Sequence, residues 1–207
     1  MNTSVLKYYL NCCKPFHLNP DIEVKDITEL RAEFLRERGI RGLVFDVDNA
    51  ITKYHGIALD HKIAPYFRWL AGEFKSCIIT NATPERREEV REMFRRDGLK
   101  MHVVDSNVRK PFQEPFTKAL EYLGTVPGET AMIGDRLLTD IAGGNLAGMV
   151  TIKVAPLRRF SEPSHHMLAR AFETFLLRAY QEEGHAVKTY LPRNYLYRIT
   201  DSMPASF

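Results

Sequence analysis

The 207-residue chain is predicted to be an α/β protein, with a doubly wound, mostly parallel sheet, helices on both faces and no large cap domain. Two observations carry this reading. Short apolar runs alternate with amphipathic segments of about three turns, the pattern of βαβ units whose strands lie parallel. One run, Leu43-Val44-Phe45, is apolar without alternation, which suits a strand covered on both faces. About five strands are expected, with this one central.

Taken in order, residues 1–25 read as an N-terminal appendage. They hold a helical cluster of Val5, Leu6, Tyr9, Leu10 and Cys13, then an extended stretch near Pro20. Residues 26–38 place Ile27, Leu30, Phe34 and Leu35 on one helical face, and Gly39 supplies the stop. After the central strand, a helix is expected over residues 60–74 and a strand over 76–79. Thr83-Pro84-Glu85 then opens a charged helix with Val90, Met93 and Phe94 facing inward; Pro suits the first turn, where an N–H would lack an intrahelical partner anyway. A strand at 100–104, a helix at 112–123, a strand at 129–133, a small-residue helix at 138–147 and a strand at 149–154 complete a domain spanning 26–155. Residues 156–207 are a C-terminal helix and tail. That helix, at 167–180, carries an apolar stripe of Leu168, Ala171, Phe172, Phe175, Leu176 and Ala179.

Composition narrows the function classes. Hydrophobic residues at 44% and charged residues at 27% are ordinary for a globular chain and argue against disorder. A net charge of +3 accommodates anionic substrates but is too weak to imply nucleic acid, and Arg and Lys are dispersed rather than interleaved with aromatics. Cys12, Cys13 and Cys77 form no CxxC pair, so neither zinc nor a disulfide framework is suggested, and a reducing compartment is expected. No apolar run reaches the ~18 residues of a membrane-spanning helix.

At Asp46 and Asp48 the central apolar run stops. Unpaired buried carboxylates are costly, so a cation or the crevice beyond the strand must receive them. Two residues apart on an extended chain, they share a face and can address one centre. Three further strand ends carry polar groups: Thr80 with Asn81, Lys110, and Gly134-Asp135 with Asp140. In a parallel sheet those ends line one crevice. Several carboxylates with one Lys and one hydroxyl suit a hard, oxygen-preferring cation such as Mg²⁺. Structural readings stand beside these. Thr80 could cap the following helix, Lys110 could be a solvated loop lysine, and Asp140 could offset a helix dipole. Gly143-Gly144-Asn145 is read as close packing rather than substrate contact.

Asp46-Val47-Asp48, Thr80, Lys110-Pro111 and Gly134-Asp135 with Asp140 resemble, in order and spacing, the four motifs of the haloacid dehalogenase superfamily across residues 41–155. Within it, the Asp-x-Asp-Asn, Lys-Pro and Gly134-to-Gly148 segments resemble the phosphatidylglycerophosphate phosphatases of bacteria and mitochondria. The resemblance implies a nucleophilic Asp46 that forms an aspartyl-phosphate, and an Asp48 that protonates the leaving oxygen and then deprotonates water. It implies that Thr80, Asn81 and Lys110 contact the substrate phosphoryl group. Mg²⁺ would be held by Asp46, the backbone carbonyl of Asp48 and Asp135, with Asp140 behind them orienting Lys110 or a water on the metal. One departure is Ala50, where the family usually has Thr or Val. If that position only packs, activity survives; if its hydroxyl supports the loop, the rate falls.

No cap domain fits between Asp48 and Ser76 or between Thr80 and Lys110, so the crevice should be open, favouring a substrate attached to something large. The expected function is Mg²⁺-dependent hydrolysis of a phospholipid phosphomonoester, phosphatidylglycerophosphate, by a protein in peripheral contact with a membrane. Its expected location is cytoplasmic or on the inner face of a membrane, the mitochondrial matrix if eukaryotic. Alternatives are a phosphatase of the same fold acting on a soluble metabolite or a nucleic-acid 3'-phosphate, and a non-enzymatic scaffold. The intact acidic set opposes the scaffold, because keeping it without a cation is electrostatically costly. The apolar stripes near 5–13 and 167–180 would seat either on lipid or on the domain itself, and Arg158, Arg159 and Arg170 would favour anionic lipid.

Overall fold

The computed structural model describes residues 15–158 together with 168, 170–175 and 178. The apolar cluster at 5–13 and the tail at 181–207 lie outside the described residues. Among the described residues six strands form one sheet: β1 (Ile22–Val24), β2 (Gly42–Phe45), β3 (Lys75–Ile78), β4 (His102–Val103), β5 (Thr130–Gly134) and β6 (Val150–Val154). Their order is β1-β6-β5-β2-β3-β4, and every neighbouring pair is parallel.

Every residue of β2 is buried, which explains its unbroken apolar run. Leu43 and Phe45 join a core with residues of α2 (Ala64–Glu73) and α3 (Pro84–Arg96), and Phe45 meets Phe67 edge-on at 5.1 Å. Val44 joins a separate core with Phe116, Ala119 and Leu123 of α4 (Gln113–Leu123). From β2 the chain builds β3 and β4 on one side, then crosses to β5 and β6 on the other. The carboxyl ends of β2 and β5 therefore flank a topological switch point, where ligands bind in sheets of this kind.

Three elements differ from expectation. A sixth strand, β1, adds to β6 with Ile22 opposite Ile152, drawing on residues read as an appendage. Ile22 and Val24 are buried and Glu23 is exposed, but three residues are too few to display an alternation. The helix expected at 26–38 divides into a 3₁₀ turn, Ile27–Glu29, and α1 (Ala32–Glu37). Asp26 caps the turn by accepting from the Thr28 N–H, and Leu30 leaves it in an extended conformation. The helix at 138–147 starts as a π-helical turn, Leu137–Ile141, before α5 (Ala142–Leu146).

The described part of the C-terminal helical segment turns the large apolar residues of its stripe outward. Leu168, Phe172 and Phe175 are 72%, 51% and 66% exposed, whereas Glu173 is 2% exposed. The face that packs on the domain is the polar one. No helix among the described residues is long and apolar enough to cross a membrane.

Candidate active site

Asp46 is the first residue past β2, and its backbone N–H donates to the Ile133 carbonyl at 2.9 Å, tying it to β5. Lys110 reaches it from the loop before α4. The lysine is 3% exposed, and its Nζ donates to Asp46 Oδ1 and to Asp140 Oδ1, each at 2.6 Å. Burial alone would lower the Lys110 pKa, but Asp140 and Asp46 outweigh it and hold the ammonium charged. This is a buried ion triad, not a solvated loop lysine.

Asn81 fixes the lysine's main chain. Its Nδ2 donates to the Lys110 carbonyl at 3.1 Å, and its Oδ1 accepts from the Lys110 N–H at 2.7 Å. The residue expected to meet substrate lines the crevice and at the same time braces the loop that carries Lys110. Thr80 is buried, and its hydroxyl accepts from the Ala82 N–H at 3.3 Å. The cap of α3 is Thr83, which accepts from the Arg86 N–H, so the capping alternative for Thr80 falls away.

Asp140 is buried beneath the site. Its Oδ2 accepts from the Arg136 N–H at 3.0 Å. A Cβ on Gly134 would lie 2.4 Å from that same Oδ2, so only glycine lets the carboxylate approach. Gly143 and Gly144 likewise serve packing: a Cβ on Gly143 would meet Phe116 Cζ at 2.3 Å. Asn145 donates to the carbonyls of His17 and Asn19, away from the crevice.

Asp48 is more exposed than Asp46. Its Oδ1 accepts from the His55 N–H at 2.8 Å and from Arg86 Nη2 at 3.4 Å. Arg86 is buried and also donates to the Gly56 carbonyl at 2.7 Å, joining Asp48 to the turn that follows it. Ala50 is buried in the apolar core. A hydroxyl that does support this loop is that of Thr52, which reaches the Val47 carbonyl at 3.2 Å and the Lys53 carbonyl at 2.9 Å.

Asp46, Asp135 and Asp140 bring carboxylate oxygens within 4.8 Å of one another. The Asp48 carboxylate is not part of this group. Asp135 Oδ2 is paired with Arg170, but its Oδ1 is buried and has no hydrogen-bond partner among the described residues. Burial pushes the Asp46 pKa up to about 7 against the opposing pull of Lys110, and that of Asp135 up to about 8 against the pull of Arg170. An orphaned oxygen beside two further buried carboxylates is what a small divalent cation would satisfy, so these residues fit Mg²⁺.

The resulting crevice holds about 350 Å³ and is lined by Asp46, Asp48, Thr80, Lys110 and Asp135, with Arg86, Arg109, Arg136 and Arg170 among its other walls. It combines a buried carboxylate beside a fixed ammonium, a second carboxylate nearer solvent, and a cationic rim. That set suits transfer of a phosphoryl group to Asp46 with proton exchange at Asp48. Sequence reasoning missed Arg86, although it shares the inward face of α3 with Val90 and Met93 at helical spacing. Arg170 was singled out only as a contact for anionic lipid, and the structure pairs it with Asp135 instead; Glu173 carried no signal comparable to that of Arg86.

A parallel sheet with these groups at its strand ends is the arrangement expected of a phosphatase domain of the haloacid dehalogenase type. The chain belongs to the mitochondrial PGP phosphatase family, whose model matches residues 5–156. It is 27% identical over 170 residues to phosphatidylglycerophosphate phosphatase 1, chloroplastic/mitochondrial, of Arabidopsis thaliana, covering 80% of this chain but 49% of that protein. The chain therefore spans about half the length of the plant relative. It is 28% identical to the probable phosphatase YqeG of Bacillus subtilis, covering 83% of this chain and 96% of that one. A solved structure, the HAD phosphatase from Thermococcus onnurineus, matches 51% of this chain and 49% of its own at 27% identity, with a TM-score of 0.42.

Proposed function

We propose that the protein dephosphorylates phosphatidylglycerophosphate at a membrane surface, in a Mg²⁺-dependent reaction through an aspartyl-phosphate on Asp46. The observation that carries the chemistry is the Lys110 ammonium held between Asp46 and Asp140. It keeps Asp46 oriented toward the crevice and offers positive charge where phosphoryl oxygens must sit. In the first step an Asp46 oxygen attacks phosphorus, the bond to the lipid oxygen breaks, and Asp48 gives that oxygen its proton. In the second, Asp48 takes a proton from water as the water oxygen attacks phosphorus, releasing phosphate and restoring Asp46. Thr80 and Lys110 hold the phosphoryl oxygens. Mg²⁺, held by Asp46, the Asp48 carbonyl and Asp135, would offset the charge of the transferred group.

The lipid assignment is supported by membership of the PGP phosphatase family. Leu168, Phe172 and Phe175 add to it: they are exposed on the helical segment whose Arg170 lines the crevice. Such a face, inserted at the headgroup boundary of a bilayer's inner leaflet, would bring the site to its substrate. The test compares phosphate release from phosphatidylglycerophosphate in mixed micelles with release from soluble phosphomonoesters, alongside flotation on anionic liposomes. Faster turnover of the lipid, with flotation, supports the proposal. Efficient turnover of soluble esters only, with no flotation, leaves a phosphatase and removes the lipid.

A further inference from the structure

We propose that Arg170 is a positioning residue of the metal site, delivered to Asp135 from outside the sheet domain by the C-terminal helical segment. Its guanidinium grips Asp135 twice, with Nη1 donating to the backbone carbonyl at 3.2 Å and Nη2 paired with Oδ2. A planar fork bound to the main chain and side chain of one residue fixes that side chain's rotation, which a point charge could not do. The other oxygen, Oδ1, is left buried and without a partner among the described residues. One oxygen is anchored and one is presented, the arrangement of a metal ligand held from behind.

A second attachment lies one turn along the helix. Glu173 accepts from Arg136 Nε and Nη2 and from the Leu138 N–H, each at 3.4 Å. Arg136 in turn gives its backbone N–H to Asp140 Oδ2. The segment thus holds the loop that carries both Asp135 and Asp140. Its large apolar residues Leu168, Phe172 and Phe175 take no comparable part, since they face outward. A helix seated on a domain by an arginine and a buried glutamate, with its apolar side turned away, is built around what those two residues hold.

This inference rests on the reading that Asp135 is a Mg²⁺ ligand. The experiment is titration calorimetry of the full chain with Mg²⁺ and with Mn²⁺, comparing wild type, R170A and R170K, with the thermal melt of each metal-free protein as a folding control. R170A is expected to weaken metal binding about ten-fold or more, the usual effect of removing a group that orients a ligand. R170K, which keeps the charge without the fork and guards against a failure of R170A to fold, is expected to weaken it by less. Wild-type binding with undiminished affinity in both folded variants overturns the role of Arg170 alone. Tighter binding in R170A also overturns it, by showing that the guanidinium competes with the cation. Absence of binding in the wild type overturns the metal reading, and the Arg170 proposal with it.

Discussion

Lys110 Nζ lies 2.6 Å from Asp46 Oδ1, inside a site that leaves the lysine almost no exposure. Replacing Lys110 with Met removes the cation and leaves Asp46 and Asp140 facing each other in a buried space. Breaking a buried pair by deleting one partner costs about 3–5 kcal/mol, and protonation of a carboxylate would relieve part of this. K110M is expected to lose phosphatase activity and to melt well below wild type. A melting temperature equal to wild type would contradict the strength assigned to this triad.

Asp46→Asn removes the nucleophilic charge while keeping the shape. Because burial already disfavours the charged form of Asp46, folding should be kept. Turnover should fall by orders of magnitude, as measured by phosphate release, with the melting temperature near or above wild type. Full activity in this variant would remove the aspartyl-phosphate mechanism.

Proton competition at the carboxylates gives a pH dependence with a definite sign. Without a metal, burial raises Asp46 from 3.8 to about 7 and Asp135 from 3.8 to about 8. A cation needs both ionised, so Mg²⁺ affinity is expected to rise between pH 6 and pH 8, with protons released on binding. The metal-free protein should behave oppositely. Its folded state keeps protons that the unfolded chain has lost, so these groups cost stability increasingly as pH climbs from about 4 toward about 8. Calorimetry in buffers of different ionisation enthalpy and melts in chelator check the two halves.

Gly143→Ala tests the packing beneath the lysine loop. The added methyl would lie 2.3 Å from the buried Phe116 ring and 3.2 Å from the backbone of Pro111. Overpacking of this kind costs about 1–3 kcal/mol. Because Pro111 follows Lys110, activity should fall as well. A urea midpoint unchanged from wild type would show that the ring moves aside freely.

How much of this could be read from residues alone depends on what each one reports. Asp46 announces itself because a carboxylate ending an apolar run demands a partner, and the other strand ends follow from the βαβ alternation. Asn81 was placed correctly at a strand end, but its commitment to Lys110 spans 29 residues and leaves no local trace. Arg86 was legible through its spacing with Val90 and Met93, had a charge on an apolar face been taken as a signal. The role of Arg170 at Asp135 was not, since beside an apolar stripe that could seat on lipid or on the domain it was read only as a contact for anionic lipid. The sixth strand was missed because its pairing depends on β6, 130 residues further along the chain.

That sixth strand has a consequence for the outer edge of β6. Beside the ladder, Asp21 Oδ2 accepts from the backbone N–H and the hydroxyl of Thr151, sealing polar groups that would otherwise face solvent. A chain trimmed to begin at residue 26 would still contain Asp46, Asp48, Lys110 and Asp135, yet it would present Val150–Val154 as an open border. Exposed borders of this type recruit strands from neighbouring molecules. The N-terminal segment therefore exchanges a five-residue border for the three-residue border of β1, and a version trimmed to residue 26 is expected to self-associate more readily, as light scattering would show.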